Sequence, residues 1–415
     1  MVKENKLLPK LRFSEFQDNW KIKELDSYIE LLSGYAFKGD DISEVDNGIP
    51  LLRGINITEG RIRHSKDIDR YYNKTIVGLE KYLLQKDDLV LGMDGSKVGK
   101  NVSLISKEDV GSLLIQRVAR IRTKDSTDIK FIYLNIFSER FHKYVDKVNT
   151  SSGIPHISSK QIKQFSIGFP SLQEQQKIAS FLTDVDDKIT KLTKKKDLLE
   201  QYKRGIMQKI FNQELRFKDN DGNDFPNWQK NKLGKSVKFL KGKGLPKSEI
   251  VSDGQFKCIH YGELFTKYNE LIDNIISRTN DNDKTVLSKV NDVLMPTSDV
   301  TPNGLATASC IKESDVILGG DVLIIRQDIK KIEGVYLAYY IKHFRNDVMK
   351  LVSGSTVYHL YGSDMKNLQV LIPCLDEQIK IANFLTDIDL KITVLNTKIE
   401  SNQSFKKGLL QKMFV

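Results

Sequence analysis

PSLQEQQKIASFLTDVDDKITKLTKKKDLLEQYKRGIMQKIF, residues 170–211, is written a second time as PCLDEQIKIANFLTDIDLKITVLNTKIESNQSFKKGLLQKMF, residues 373–414. The copies align without a gap at an offset of 203 residues, and 22 of 42 positions are identical. Chance does not give such agreement, and a period this long is not that of a solenoid. The chain is therefore an internal duplication. Apolar residues recur every seven positions in the first copy, Ile178, Val185, Leu192, Leu199 and Ile206, and Ile381, Ile388, Leu395, the polar Asn402 and Leu409 hold the same register in the second. Phe181, Leu182, Ile189, Tyr202 and Ile210 widen the first stripe, and Phe384, Leu385, Ile392, Ile399 and Phe405 widen the second. A heptad sustained over this length predicts two long helices paired as a coiled coil. A whole domain lies between them, so antiparallel pairing is the natural geometry. Packing of each stripe against its own domain is the alternative. Asn402 on the core-facing stripe predicts a polar contact that sets register. Ser171 and Glu174 predict a capping box after Pro170. Cys374 replaces that serine in the second copy, which leaves Asp376 as the candidate cap.

The duplication extends outward from these segments. Leu11-Arg12-Phe13 recurs as Leu215-Arg216-Phe217, each followed by a tryptophan (Trp20, Trp228) and five residues later by a leucine (Leu25, Leu233). Upstream of each copy stands Ser-Gly and then a histidine, Ser152-Gly153 with His156 and Ser353-Gly354 with His359. Between these landmarks the halves diverge almost completely. The expected organisation is a variable region at residues 1–169, a shared helix at 170–212, a second variable region at 213–372 and a second shared helix at 373–415. In the variable regions residues 131–148 and 335–352 have the pattern of amphipathic helices, while DLVLGM, LLIQRVARIR and DVLIIRQ have that of strands. The fold class is α+β: two globular domains of mixed α/β content separated by two long helices paired as an antiparallel coiled coil, with pseudo-two-fold internal symmetry. At ~1.5 Å per residue each helix would span ~60 Å, a rigid spacer with a domain at either end.

Composition narrows the function. A formal charge of +11 on 415 residues and a pI near 9.2 favour a polyanionic partner over a neutral ligand. The shared segments carry +3 and +1, so about +7 of that charge lies in the variable regions. No apolar run is long enough for a membrane span. The N-terminal MVKENKLLPKLRF is charged where a secretion signal is apolar, so a cytoplasmic protein is expected. Cys258, Cys310 and Cys374 have neither pairing nor metal spacing, which fits reduced thiols. The six histidines lack ligand spacing, so no metal site is expected. No phosphate-binding loop is written: Gly95-Ser96-Lys97-Val98-Gly99-Lys100-Asn101 has the wrong glycine spacing and reads as a turn between strands. No Asn/Asp-Pro-Pro-aromatic tetrapeptide suits an amino-methyltransferase gripping a flipped base. A chain without a catalytic site follows. The competing readings are a nuclease or methyltransferase with an unrecognised site, and a scaffold whose basic charge is incidental.

The segment Pro-x-Leu-x-Glu-Gln-x-x-Ile-Ala-x-Phe-Leu, present at Pro170 to Leu182 and again at Pro373 to Leu385, resembles the specificity subunit of Type I restriction-modification systems. The resemblance covers the whole chain in architecture, and residue matching is confined to the shared segments and domain edges. It implies two target-recognition domains, each reading half of an interrupted, asymmetric site on double-stranded DNA. It also implies a spacer that docks two methyltransferase (modification) subunits and, with them, restriction subunits (endonuclease and translocase). S-adenosylmethionine, ATP and Mg²⁺ would then belong to the partners, with no cofactor bound by this chain. The docking and spacing residues would be Ile178, Phe181, Leu182, Val185, Ile189, Leu192 and Leu199 with Ile381, Phe384, Leu385, Ile388, Ile392, Leu395 and Asn402. Candidate DNA-contacting residues lie on loops rich in glycine, hydroxyl and basic side chains. In the first region they are Tyr35, Lys38, Arg53, Asn56, Ser96, Lys97, Lys100, Ser151, Ser152 and His156. In the second they are Lys241, Lys243, His260, Tyr261, Thr297, Ser298, Asn303, Ser353, Ser355, Thr356 and His359. Lys194-Lys195-Lys196 either faces phosphates between the half-sites or is a solvated helical face.

Overall fold

The computed structural model describes residues 8–124, 126–149, 154–282 and 285–415. The chain forms two compact units, residues 1–192 with 398–415 and residues 193–397. Each unit holds part of both long helices.

The first unit is built on a four-stranded antiparallel sheet in the order β1 (Ile29–Ser33), β4 (Val118–Thr123), β2 (Leu89–Gly92) and β3 (Val102–Leu104). β2 is buried on both faces, as its continuous apolar run requires. A smaller sheet joins Leu113–Leu114, Ile49–Leu52, Tyr71–Tyr72 and Ile42–Ser43. Helix α1 (Ile129–Ile136) starts at Asp128, whose carboxylate accepts the Phe131 N–H. Lys21–Glu24 pairs antiparallel with Ser166–Phe169, so the entering strand is tied to the one that leads into the first long helix.

The second unit repeats this plan. Its main sheet runs β5 (Val237–Lys241), β8 (Val322–Gln327), β6 (Val293–Pro296), β7 (Ser309–Ile311), extended by Leu271–Ile272. Helix α3 (Gly334–His343) matches α1, and Gln229–Lys232 pairs with Gln369–Ile372 as the earlier ribbon did. The backbone bonds give the equivalences directly. Gly34 N–H reaches Val118 O at 2.9 Å, and Gly242 N–H reaches Val322 O at 2.8 Å. A Cβ on either glycine would lie 2.0 Å from a carbonyl oxygen, that of Ile115 or Gly319, so the crossing admits only glycine.

The shared segments are helices throughout, α2 (Leu172–Phe211) and α4 (Leu375–Met413). They run antiparallel. Asp186 meets Lys406 at 2.6 Å in the first unit and Asp389 meets Lys203 at 2.6 Å in the second, so a step up one helix is a step down the other. Each residue of one pair is the repeat mate of a residue in the other. The heptad stripes serve both proposed uses at once. In the first unit Ile178, Leu182 and Val185, with Phe181 and Ile189 beside them, share a core with Leu409 and Met413 and with α1. In the second, Ile381, Leu385 and Ile388, with Phe384, Ile392 and Leu199, share one with Met207, Ile210 and Phe211 and with α3. Leu395 is buried and Leu192 half-buried. Helix pairing and domain packing are one core in each unit.

Several details differ from expectation. Asn402 does not set register: it is half-exposed and its amide donates to Lys398 O of its own helix. Tyr202 and Phe405 are more than half exposed, on the outer edge of the stripe. Ser171 Oγ accepts the Glu174 N–H, but Glu174 does not return the bond, because its carboxylate is used elsewhere. Asp376 lies exposed in the first turn of α4, where its charge suits the helix N-terminus. Residues 131–148 break at Phe137, after which Ser138 caps a second helix, and residues 335–352 break at Phe344. LLIQRVARIR is two strands parted by a turn at Gln116 and Arg117, with Ile115 bridged to Tyr35.

The recurring Arg, Trp and Glu-Gln residues form one anchor made twice. Arg12 clamps Glu174 with two bonds of 2.7 Å, and the Trp20 indole N–H donates to the same carboxylate. Arg216 and Trp228 do the same to Glu377. Gln175 accepts the Asp128 N–H and donates to Ser126 O and Pro170 O; Gln378 accepts the Glu333 N–H and donates to Lys331 O and Pro373 O. The shared motif thus fastens each long helix to its domain. Cys258, Cys310 and Cys374 are free thiols, and burial pushes the first two up to about 11 and about 12. Among the described residues no helix is long and apolar enough to cross a membrane.

Candidate nucleic-acid interface

In each unit the predicted loops converge on one edge of the main sheet. In the first, Tyr35 N–H donates to Leu114 O, and Gln116 N–H returns a bond to Tyr35 O. Asp94 bridges to His156 in antiparallel register, and Gly95 N–H donates to Pro155 O. Arg53, Ser96 and Lys97 line an open cleft of about 630 Å³ together with Arg63, Asn101, Gln116 and Arg117. Its walls carry four cations, Arg53, Arg63, Lys97 and Arg117, against one carboxylate, Asp94. Such a surface raises the local concentration of phosphate. The loop from Gly95 to Asn101 is the expected turn between β2 and β3, with both glycines at positive φ.

The structure separates the presenting residues from those that hold the loop. Tyr35 is 41 % exposed with its ring edge against Phe37; Ser96, Lys97 and His156 are exposed. Lys97 is paired with Glu59 at 3.0 Å. Asn56 is buried: its Oδ1 accepts the Arg53 N–H and its amide donates to Arg63 O and Asp69, so it braces the loop and offers nothing outward. Lys38 and Lys100 are exposed at the far ends of their loops, outside the cleft lining. Ser151 and Ser152 lie outside the described residues.

The second unit assembles equivalent positions with different side chains. Lys243 N–H donates to Leu318 O, as Tyr35 does to Leu114. Thr297 N–H donates to Asp321 O, as Met93 does to Arg117, and Leu360 N–H to Thr297 O, as Ile157 does to Met93. His359 is therefore the counterpart of His156, Ser298 of Asp94 and Asp321 of Arg117. Ser298 Oγ lies 3.2 Å from His359 Nδ1, and the His359 ring stacks on exposed Tyr361. Lys241 and Thr297 line a cleft with Lys238, Tyr361, Ser363 and Lys366. Thr297 is itself buried, its hydroxyl on Asp321, so like Asn56 it braces the loop. Ser353 pairs through both backbone groups with His359, while Ser355 and Thr356 are exposed on the adjoining turn and Asn303 is exposed on the short helix Pro302–Leu305. His260 and Tyr261 stand in a neighbouring cleft with Lys247 and Lys267. Burial lowers the His260 pKa and keeps its ring neutral, with Nδ1 accepting the Gly262 N–H.

Sequence reasoning missed Gln116, Arg117 and Tyr361. The one signal for the first two was a polar Gln-Arg pair interrupting an otherwise alternating strand pattern. Lys194 and Lys195 are exposed on α2, and Lys196 pairs with Glu200 one turn on. Among the described residues no group of His, Cys, Asp and Glu is placed to hold a metal ion.

A family model for the Type I restriction modification DNA specificity domain matches residues 17–201 and again residues 226–401. The chain is 24 % identical over 407 residues to the Type I restriction enzyme MjaVIII specificity subunit of Methanocaldococcus jannaschii, covering 95 % of this chain and 91 % of that one. It is 30 % identical over 199 residues to the EcoAI specificity subunit of Escherichia coli, covering 46 % and 33 %. The crystal structure of the Type I restriction-modification S subunit from M. genitalium superimposes with a TM-score of 0.65 at 16 % identity, over 99 % of each chain. A second solved structure, described as the basis of complex assembly and conformational transition of the type I R-M system, gives 0.54 at 13 % identity over 96 % and 98 %. These two share the fold. With the specificity domain matched in both halves, this chain belongs to the Type I restriction-modification DNA specificity family.

Proposed function

We propose that this chain is the DNA-reading subunit of a Type I restriction-modification assembly and carries no catalytic site. Each domain recognises one half of an interrupted, asymmetric duplex site. The observation that carries this is a specificity domain present twice, with the same backbone bonds and unlike exposed side chains at matching positions. Identical readers would call for a symmetric site; Asp94 against Ser298 and Arg117 against Asp321 do not. The exposed loop residues Tyr35, Lys97 and His156, with half-buried Arg53, in one domain, and exposed Lys241 and Lys243, with half-buried Tyr261 and His359, in the other, approach the duplex, while buried Asn56 and Thr297 hold the loops. The paired helices set the number of unread base pairs and dock two methyltransferase subunits, to which restriction subunits add. S-adenosylmethionine, ATP and Mg²⁺ are used by those partners, and the assembly works in the cytoplasm.

The test is an exchange. Replacing residues 21–169 with the corresponding region of a relative of different specificity should change one half of the modified motif and leave the other half and the gap unchanged. Modified adenines in host DNA are mapped by methylation-sensitive sequencing. A change in both halves, or in neither, contradicts modular reading. Methylation or cleavage by the purified chain alone, supplied with DNA, cofactors and Mg²⁺, would make it an enzyme instead. Binding without sequence preference, even with a methyltransferase subunit present, would make it a scaffold.

A further inference from the structure

We propose that the residue at the turn entering β4 and β8 reads a base edge directly: Arg117 a guanine in one half-site, Asp321 a cytosine in the other. This rests on the two-domain reading above and names side chains that do the discriminating. The two positions are equivalent by their backbone bonds, each carbonyl accepting the N–H at the end of the neighbouring strand, Met93 or Thr297, at 2.9 Å. Their chemistry is opposite, a fork of donors against a pair of acceptors.

Arg117 is set up to present that fork. Its φ is +66°, a left-handed conformation that a long side chain rarely adopts. Such a conformation persists only where the surroundings impose it, and it concentrates at binding sites. At this position the strain belongs to the first domain alone. Asp87 and Asn291, which occupy matching positions, are both left-handed, whereas Asp321 is not among the positive-φ residues. The Arg117 side chain is 67 % exposed at the rim of the cationic cleft. Among the described residues its guanidinium makes one ion pair, with Asp94 at 3.1 Å, which aims it and leaves most of its donors free. Arg53 and Arg63 differ, since each spends donors on loop carbonyls. Asp321 receives Lys241 at 3.5 Å and the Thr297 hydroxyl at 3.3 Å, both on Oδ1. Its Oδ2 is left to accept. In the major groove a guanidinium matches guanine O6 and N7, and a carboxylate matches the cytosine N4 amino group.

Arg117→Gly is the decisive variant, because glycine keeps the left-handed turn and removes only the side chain. Expressed with the methyltransferase subunit, it should relax one G·C position in one half-site, with discrimination there falling roughly ten- to a hundred-fold. The other half-site should be unchanged, and the thermal midpoint equal or higher. Asp321→Ala should relax one position in the opposite half-site. Where modification is too weak to sequence, binding to duplexes varied at each motif position gives the same readout. An unchanged motif for a folded Arg117→Gly chain, or equal loss on all four base pairs, overturns the proposal. Failure of the unsubstituted chain to direct any bipartite motif would instead overturn the functional reading beneath it.

Discussion

The two domains agree in what their backbones do and disagree in what their surfaces offer. Gly34 and Gly242 cross under the same strand, Met93 and Thr297 close the same turn, and Glu174 and Glu377 take the same arginine and tryptophan. At the loop ends Asp94 corresponds to Ser298, Arg117 to Asp321 and Tyr35 to Lys243. The shared contacts are buried backbone and anchor bonds, and the side chains that differ stand at the loop ends. A further difference lies inside. The second unit buries Glu270 between Lys203 and Lys342, with the Tyr339 hydroxyl on Asp389.

The largest effect is expected where the domains are alike. Glu377 is fully buried and holds two charged bonds from Arg216 and one from the Trp228 indole. Glu377→Ala leaves a guanidinium and an indole N–H without their acceptor. Losing one partner of a buried pair costs about 3–5 kcal/mol. Arg216 retains some solvent and bonds to Phe225 O and Pro226 O, so the lower end of that range is expected. Hydrogen exchange followed unit by unit should show the second unit opening and the first unchanged. Glu174→Ala should give the mirror result. Equal weakening of both units by either variant would mean that the anchors do not act domain by domain.

A smaller effect sharpens the internal difference. The two lysines are equally buried, but Lys406 pairs with Asp186, which is 37 % exposed, whereas Lys203 sits between Asp389 at 19 % and Glu270 at 1 %. Burial pushes the Glu270 pKa up, but the charges of Lys342 and Lys203 outweigh it and bring it below the ordinary value. Lys203→Met leaves Glu270 with Lys342 alone and Asp389 with the Tyr339 hydroxyl alone, and should cost about 2–3 kcal/mol. Lys406→Met frees one carboxylate that water reaches and should cost roughly 1 kcal/mol or less. Chemical denaturation monitored in each unit gives both numbers. Equal costs would remove the second unit's network from the account of its stability.

The scaffold was legible because apolar periodicity and repetition report directly on burial. The anchor was half legible. Leu-Arg-Phe, the tryptophan and Glu-Gln all stood out as recurring, but 162 residues part Arg12 from Glu174, and nothing in a single sequence says that they touch. The reading surface was legible only as a set of loops. Asn56 has the chemistry of a base reader and is spent on its own turn. Arg117 sits in a stretch that reads as one continuous strand, and its left-handed turn carries no glycine to announce it. Which side of a loop a side chain leaves from depends on one backbone dihedral, and composition does not encode that.

The smallest predicted effect separates the domains by the sign of a pH dependence. In the first, His64 joins Asp109 at 2.9 Å and Asp69 at 3.2 Å, across the loop that Asn56 braces. Partial burial pushes its pKa down, but the bonds and charge of Asp109 and Asp69 outweigh that and leave it raised. A raised histidine pKa gives stability that is full below the unfolded value near 6.5 and is lost as pH rises through the folded value. In the second, burial lowers the His260 pKa, with Lys247 adding to it against Glu263 and Asp321. There stability is full above the unfolded value near 6.5 and is lost as pH falls through the lower folded value. Lowering pH from 8 to 6 should therefore slow exchange in residues 53–69, and lowering it from 7 to 5 should speed exchange in residues 258–267, after correction for intrinsic rates. Since His64 is about half exposed, solvent screening holds its effect under ~1 kcal/mol. His64→Gln should abolish the first slope and leave the second. Slopes of the same sign in both loops would mean that neither histidine governs its loop, and that the contrast between the domains stops at their side chains' identity rather than reaching their protonation.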